Sequence, residues 1–460
     1  MTPKTALIKA TALLILLALH GSLGLARPEA QLVWGRQLGT AADDFADRVA
    51  ADAEGNSWFA GHTSGKLGDQ SFGGSDIIVG KYDPPGIRLW LTQFGTAQAE
   101  TARAIALDSH GNAYITGSTA GKLGDAQFGG TDAFICKLDA NGKVAWIRQF
   151  GTGGADGGNA IKLDASGNIF VAGATTGKLG ASQFGAYDAF LSKFDSGGQV
   201  LWTLQWGTSL DDGANGLAFD QRGNVFVAGQ TSGKLGSASF GNIDMFLTKV
   251  DPAGKIVWSQ QYGTASPDVA MCVLVDDETN IYIGGSTGGS MGGPQLGEGD
   301  SLLMKLTSAG TLIWQRQFGS TGWDGIKEVL LSRENPKGVI VSGCGGYPQC
   351  LAFVRKFDPQ GNELWKKEIH PPQSTCGGTV AMDGKGNLYQ CGGTAASLFG
   401  THEGIGNDIF LVKYAITEAG LSSDRMTDSP ADGSTASAET RPSPAIPPPA
   451  PANPVKVTAP

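Results

Sequence analysis

The segment from Ile105 to Thr152, IALDSHGNAYITGSTAGKLGDAQFGGTDAFICKLDANGKVAWIRQFGT, decides the fold. It contains four short runs of apolar and β-branched residues separated by Asp- and Gly-containing stretches, a pattern typical of strands and turns. The first two runs, and the last two, are joined by tight turns in which Asp can cap the backbone while Gly or Asn takes positive φ. A longer connection, 118–131, joins the second run to the third. The segment predicts four antiparallel strands, at 105–108, 113–117, 132–138 and 143–150.

The same unit recurs along the chain. A tryptophan marks the fourth strand of each copy, 56 residues apart until a last step of 51: Trp34, Trp90, Trp146, Trp202, Trp258, Trp314 and Trp365. One four-stranded sheet has two faces to bury, and stacking copies around an axis covers both and leaves only short edges. The repeat therefore predicts an all-β fold over residues 27–417, a seven-bladed β-propeller of four-stranded blades.

The phase of the repeat predicts how the ring closes. Residues 32–38 form a lone outer strand before the first complete set, and the last set, Thr379 to Tyr414, lacks an outer strand of its own. The N-terminal strand is therefore expected to pair into the last blade.

Three segments resemble the bacterial β-propeller repeat known as the SBBP repeat. They are residues 111–119, residues 132–134 with Lys137, and residues 142–146, each echoed in most copies between Gln31 and Tyr414. The resemblance implies the propeller fold. For function it implies only a likeness to exported or surface proteins that share no defined activity.

An acidic residue follows ten positions after the tryptophan in six copies: Asp44, Glu100, Asp156, Asp212, Asp268 and Asp324, with Thr375 in the seventh. These positions fall between blades, near the mouth of the channel. A ring of carboxylates could hold calcium, which prefers several oxygen ligands. Recurrence in nearly every copy favours the other interpretation, in which each acid accepts hydrogen bonds from the neighbouring blade.

The long connections predict where a ligand binds. The second-to-third and between-blade connections of an up-and-down blade emerge on one side, and loops on a rigid scaffold commonly carry binding residues. The last copies also gain polar and aromatic residues suited to sugar or protein recognition, Trp323, Tyr347, His402 and Glu403. Sequence drift in the last copies, without selection for a ligand, would explain the same changes.

Six cysteines in an exported chain suggest disulfides. Cys344 and Cys350 flank a shortened loop and are candidates for a bridge. Cys376 and Cys391 flank one hairpin and are a second candidate pair, although the register of the turn sets them diagonally. Cys136 and Cys272 lie inside strands and are expected to be buried thiols.

The chain ends and the charge restrict the class of protein. Residues 1–26 carry Lys4 and Lys9, a short apolar run and Gly24-Leu25-Ala26, the features of a cleaved signal peptide rather than a membrane anchor. Residues 418–460 are rich in Pro, Ser and Ala and are expected to be disordered. The formal net charge of −9 argues against nucleic acid as a partner.

These observations predict a non-catalytic, monomeric propeller in the periplasm, on the cell surface or outside the cell, which binds an unidentified protein or carbohydrate at the envelope. No cofactor is expected, apart from the calcium considered above. One alternative is an envelope enzyme with its site in the channel, such as a quinone-dependent dehydrogenase, whose propeller repeats share Gly-Lys-Val-x-Trp runs. The other is a purely structural surface protein.

Overall fold

Asp side chains build the tight turns that the sequence predicts. In the computed structural model, which describes residues 29–417 apart from 237, 333, 336, 347–348, 371–372 and 403, Asp108 Oδ1 accepts hydrogen bonds from the backbone N–H groups of His110 and Asn112, both at 2.9 Å. Gly111 takes a φ of 74° there, and Thr279 replaces the glycine in the fifth blade at a φ of 65°. The side-chain bonds and the left-handed residue reverse the chain within a few residues.

Within the described residues, 28 strands form seven four-stranded antiparallel sheets, the blades of a propeller. The first four blades, from the channel outward, contain β2 (Asp44–Ala51), β3 (Ser57–Thr63), β4 (Asp76–Tyr82) and β5 (Arg88–Phe94); β6 (Glu100–Leu107), β7 (Ala113–Thr119), β8 (Asp132–Leu138) and β9 (Val144–Phe150); β10 (Asp156–Leu163), β11 (Ile169–Thr175), β12 (Asp188–Phe194) and β13 (Val200–Trp206); and β14 (Asp212–Phe219), β15 (Val225–Thr231), β16 (Asp244–Val250) and β17 (Ile256–Tyr262).

The last three blades follow the same order. They contain β18 (Asp268–Val275), β19 (Ile281–Thr287), β20 (Asp300–Leu306) and β21 (Leu312–Phe318); β22 (Gly325–Ser332), β23 (Gly338–Gly345), β24 (Leu351–Phe357) and β25 (Glu363–Ile369); and β26 (Thr375–Met382), β27 (Leu388–Thr394), β28 (Asp408–Thr417) and the N-terminal β1 (Glu29–Leu38). The predicted fold class is confirmed.

Chain ends close the ring as predicted. Strand β1 pairs antiparallel with β28, with Trp34 opposite Lys413. The Trp34 indole N–H donates to the carbonyl of Pro84 at 2.9 Å, and Arg36 Nε donates to the carbonyl of Gly86 at 2.7 Å. Trp90 makes the equivalent bond to Ala140 at 3.1 Å. The repeating tryptophan can therefore fasten one blade to a turn of the next.

The inner strands are longer than the sequence predicts. Strand β6 begins at Glu100 rather than near Ile105, because Glu100 already pairs with Thr119. The ladder then shifts between Ala102 and Ala104, which makes a β-bulge at Arg103. Each inner strand carries such a bulge, and the bulged residues lie beside the channel.

The core is divided among the junctions between blades. The described residues contain seven apolar clusters, and each joins two neighbouring blades. In one of them, Ile77 from blade one packs with Ile115 and Phe134 from blade two, all three fully buried. Since burying each such side chain contributes about 1.5–3 kcal/mol, each blade depends on its neighbours for stability.

Candidate functional site on the loop face

The two longer connections of each blade meet on one side of the ring. Where blade one leads into blade two, the N–H of Gly74 donates to the carbonyl of Gln98 at 3.2 Å, and the N–H of Glu100 donates to the carbonyl of Ser75 at 2.7 Å. Residues 74 and 75 belong to the second-to-third connection, and residue 98 belongs to the connection between blades. We call this side of the propeller the loop face.

A buried Gln and Asp hold each regular long loop in place. In blade two, Gln149 Nε2 donates to Asp132 Oδ2 at 2.7 Å, while its Oε1 accepts from the N–H groups of Leu123 and Gly124 at 2.8 and 3.0 Å. The equivalent glutamines are Gln37, Gln93, Gln205, Gln261 and Gln317. The loops are therefore presented on a rigid base.

The six recurring acids are buried at the junctions between blades. Asp156 Oδ2 accepts from the backbone N–H and the hydroxyl of Thr152 at 2.6 and 3.0 Å. The other five use the equivalent Thr or Ser, namely Asp44, Glu100, Asp212, Asp268 and Asp324. Burial raises the pKa of four of them, against the opposing effect of these hydrogen bonds: Asp44, Asp212, Asp268 and Asp324.

These contacts support the structural interpretation of the acids. Each of the six carboxylates is engaged by hydrogen bonds at its own junction. In the part of the chain that the structure describes, one group of three or more metal-ligating side chains has its ligand atoms within 4.8 Å of one another, and it consists of cysteines.

The four residues predicted to contact a ligand have different surroundings. Trp323 is 53% exposed, and its backbone forms an isolated parallel β-bridge with Gly299 on the loop face. His402 is largely buried, and its Nδ1 lies 3.1 Å from Asp408 Oδ2. Tyr347 and Glu403 lie outside the described residues. Of the two described members of the set, Trp323 is the one that presents a large exposed surface.

Sequence reasoning missed a series of exposed aromatic residues in the long loops. Phe128, Phe184 and Phe240 occupy the same place in three successive copies, and each is 48% exposed. The backbone N–H of Phe128 donates to Asp132 Oδ2 at 2.8 Å, which fixes the base of the side chain. The available signal was the recurring Phe-Gly pair at 56-residue spacing.

The mouth of the channel is polar and rich in cationic groups. Residues of the inner-strand bulges line a cavity of about 150 Å³ there, and they include Arg103, Asn159, Asn215 and Lys327. Arg48 lies beside them and donates to Glu328 Oε2 at 2.7 Å. Among the described residues, neither Arg103 nor Lys327 has a carboxylate partner.

A His–Asp pair stands at the same mouth. His62 Nδ1 lies 3.1 Å from Asp47 Oδ2, and Phe45 stacks on the His62 ring with centroids 6.1 Å apart. Burial opposes protonation of the imidazole, but the hydrogen bond and charge of Asp47 outweigh it, so the pKa of His62 is raised. The pair could hold or transfer a proton.

All six cysteines are thiols in this structure. Cys136, Cys272 and Cys391 are buried, and burial raises the pKa of each. Cys344 and Cys350 lie together, as the proposed bridge requires, but Cys376 joins them rather than Cys391. Whether the Cys344–Cys350 bridge forms stays a prediction.

Comparison with known sequences identifies the repeat. The Beta-propeller repeat family, SBBP, matches residues 89–124, 145–180, 201–236 and 257–290. Regulatory protein FlaEY of Caulobacter vibrioides is 28% identical over 178 residues, which are 35% of this chain and 19% of FlaEY. This chain thus matches about a fifth of that relative.

Solved structures with a similar fold include three proteins of different kinds. BBS1N in complex with ARL6DN has a TM-score of 0.48 at 10% identity, covering 86% of this chain and 99% of that chain. A polysaccharide lyase of family PL25, an ulvan lyase, has a TM-score of 0.47 at 10% identity over 84% and 97% of the two chains. YCF48 bound to D1 peptide has a TM-score of 0.46 at 9% identity over 87% and 99%. At these identities the likeness concerns the fold alone.

Within the described residues, no helix is long and apolar enough to cross a bilayer.

Proposed function

Because this chain is built of SBBP β-propeller repeats, we propose that it is an exported, non-catalytic scaffold that binds a protein or carbohydrate of the cell envelope on its loop face. The observation that carries the proposal is the series of half-exposed phenylalanines at one position of successive copies, Phe128, Phe184 and Phe240. Aromatic side chains bury large areas on binding and are frequent anchors at interfaces.

The loops that carry these residues suit such a role. Their backbones are held by buried bonds such as that between Gln205 Nε2 and Asp188 Oδ2, 2.7 Å long. A pre-organised surface loses little entropy when a partner docks. Equivalent anchors on neighbouring blades also allow one extended partner to engage several of them together, which raises the overall affinity.

A triple variant tests the proposal. Phe128→Ser, Phe184→Ser and Phe240→Ser together remove the loop-face anchors, whereas Val200→Ser, Leu201→Ser and Val257→Ser alter equally exposed positions on the outer strands (60%, 53% and 54%). Binding is measured on a glycan array and by pulldown from envelope extract. We expect the loop-face variant to lose at least tenfold in affinity and the outer-strand control to bind like the unmodified protein.

Two results would contradict the scaffold role. Undiminished binding by the folded loop-face variant would exclude this surface. Failure of the unmodified protein to bind any glycan or envelope component would favour a purely structural surface protein.

A second candidate function is catalysis at the channel mouth, and the pairing of His62 with Asp47 beside Arg103 favours it. A positioned His–Asp pair can serve as a general base. An activity screen with acidic glycans, and with quinone cofactors added, would compare the unmodified protein with His62→Gln. Turnover that is lost in the variant would replace the non-catalytic proposal.

A further inference from the structure

The junction between blades six and seven lacks the polar network of the other junctions. The third strand of blade six begins with Leu351, whereas the third strands of the other six blades begin with Asp. In the outer strand of blade six, Glu368 stands where the other outer strands carry Gln. Thr375 replaces the recurring acid, and its hydroxyl oxygen lies 2.9 Å from that of Thr394. The junction therefore has a different set of polar groups at its centre.

Three cysteines come together at this junction. The sulfur atoms of Cys344, Cys350 and Cys376 all lie within 4.8 Å of one another, and the three side chains are half-buried. They come from the end of β23, from the connection before β24 and from β26 of the next blade.

Backbone contacts fix the cysteines in place. The N–H of Thr375 donates to the carbonyl of Cys350 at 2.7 Å, which ties the shortened loop to the start of β26. Cys344 is held in the sheet opposite Gly325 and Ala352. The cluster is thus a product of the packing of two blades rather than of one flexible loop.

A cationic side chain lies beside the cluster. The ammonium group of Lys327 interacts with the Cys344 sulfur by charge and as a hydrogen-bond donor, an arrangement that suits an anionic sulfur. A thiolate is the form of cysteine that binds metals.

We propose that Cys344, Cys350 and Cys376 form a zinc site that links blade six to blade seven. Zinc–sulfur bonds of about 2.3 Å place the sulfurs of a tetrahedral site about 3.8 Å apart, a spacing that the cluster can accommodate. Three thiolates and Zn²⁺ leave one net negative charge, which the ammonium group of Lys327 offsets. Three protein ligands also leave a fourth position for water or an anion, as in zinc sites that are open to ligands.

Titration of the reduced full-length protein with Co²⁺, followed by displacement with Zn²⁺, tests the site. We expect one equivalent to bind, with the charge-transfer absorption of cobalt thiolates, and Zn²⁺ to abolish that absorption. Cys376→Ser and Cys344→Ser should each weaken binding at least 100-fold. Cys391→Ser is the matched control, because Cys391 lies in the same blade as Cys376 but belongs to a separate apolar cluster. The Cys391→Ser variant should bind Co²⁺ like the unmodified protein. Circular dichroism and melting curves establish that each variant is folded.

Three outcomes would overturn the proposal. One is the absence of cobalt–thiolate absorption in the folded, reduced protein. Another is unchanged affinity in a folded Cys376→Ser variant. The third is a Cys344–Cys350 disulfide, found by intact mass and alkylation, that persists when the protein is exported or refolded in the presence of Zn²⁺.

Discussion

The junction between blades seven and one includes the N-terminal strand β1, whereas the junction between blades six and seven lies within the repeat array, and continuous backbone crosses both because β1 leads directly into β2. The first carries the full polar network: Gln37 Nε2 donates to Asp408 Oδ2 at 2.7 Å, and the N–H of Thr40 donates to Asp44 Oδ2 at 2.5 Å. The second has lost it. The network thus follows the side chains present at each junction: Gln37, Asp408 and Asp44 stand at the first, and Glu368, Leu351 and Thr375 replace them at the second.

Ion pairs do not replace what this junction has lost. Arg355 contacts Glu363 and Glu368 at 3.0 and 3.2 Å, but all three residues belong to blade six, and both carboxylates are partly exposed. Such pairs contribute about 0–1 kcal/mol each. We therefore expect this junction to open more readily than the others unless another group, such as the proposed metal, stabilises it.

Removal of β1, residues 29–38, should have the largest effect. The deletion leaves β28 with an unpaired edge and takes away Trp34 and Gln37, which contact blade one and the last long loop. We expect a large fall in melting temperature and aggregation, measured by calorimetry and size-exclusion chromatography. Deletion of 421–460, which lies outside the described residues, is the control. If both truncations melt like the full-length chain, closure by β1 is not what holds the ring together.

A smaller but still large effect is expected from Asp188→Ala. The substitution leaves the Gln205 amide and the N–H of Phe184 without their buried acceptor. Unsatisfied buried groups cost about 1–3 kcal/mol each, so the free energy of unfolding should fall by about 2–4 kcal/mol in urea titrations. Glu368→Ala, at the junction without the network, should lower it by about 1 kcal/mol or less. Equal effects of the two substitutions would remove the distinction between the junctions.

The smallest effect concerns pH. Burial raises the pKa of Asp212, with a further contribution from the charge of Asp188, so the folded state binds the proton more tightly than the unfolded chain. The stability contributed by Asp212 is therefore greatest below its unfolded pKa, about 3.9, and is lost as pH rises through the folded value.

Asp212→Asn removes this dependence, because an amide is neutral at every pH and its oxygen can still accept from Thr208. The stability of the unmodified protein relative to the variant should decline as pH rises from about 3 to 6. Urea titrations across that range measure the difference, and a constant difference would show that the carboxyl is not held at a raised pKa.

The sequence by itself determined the repeating unit, the number of blades and the closure of the ring. Each of these depends on local turn chemistry at positions such as Asp108 and Gly111 and on a tryptophan that recurs at a constant spacing. The turn hydrogen bonds join residues that are close in sequence, and the spacing of the tryptophans is visible in the sequence itself. Both can therefore be recognised without knowledge of the fold.

The tertiary structure decided what the recurring and unusual residues do. From the sequence, the acids ten residues after the tryptophans fit either a metal ring or supports of the junctions, and their contacts with residues such as Thr152 support the second interpretation. Exposure of Phe128 and burial of His402 depend on how the loops pack. Cys376 lies 32 residues from Cys344 in the sequence but beside it in space, because two blades meet there, and that proximity is a property of the packed ring.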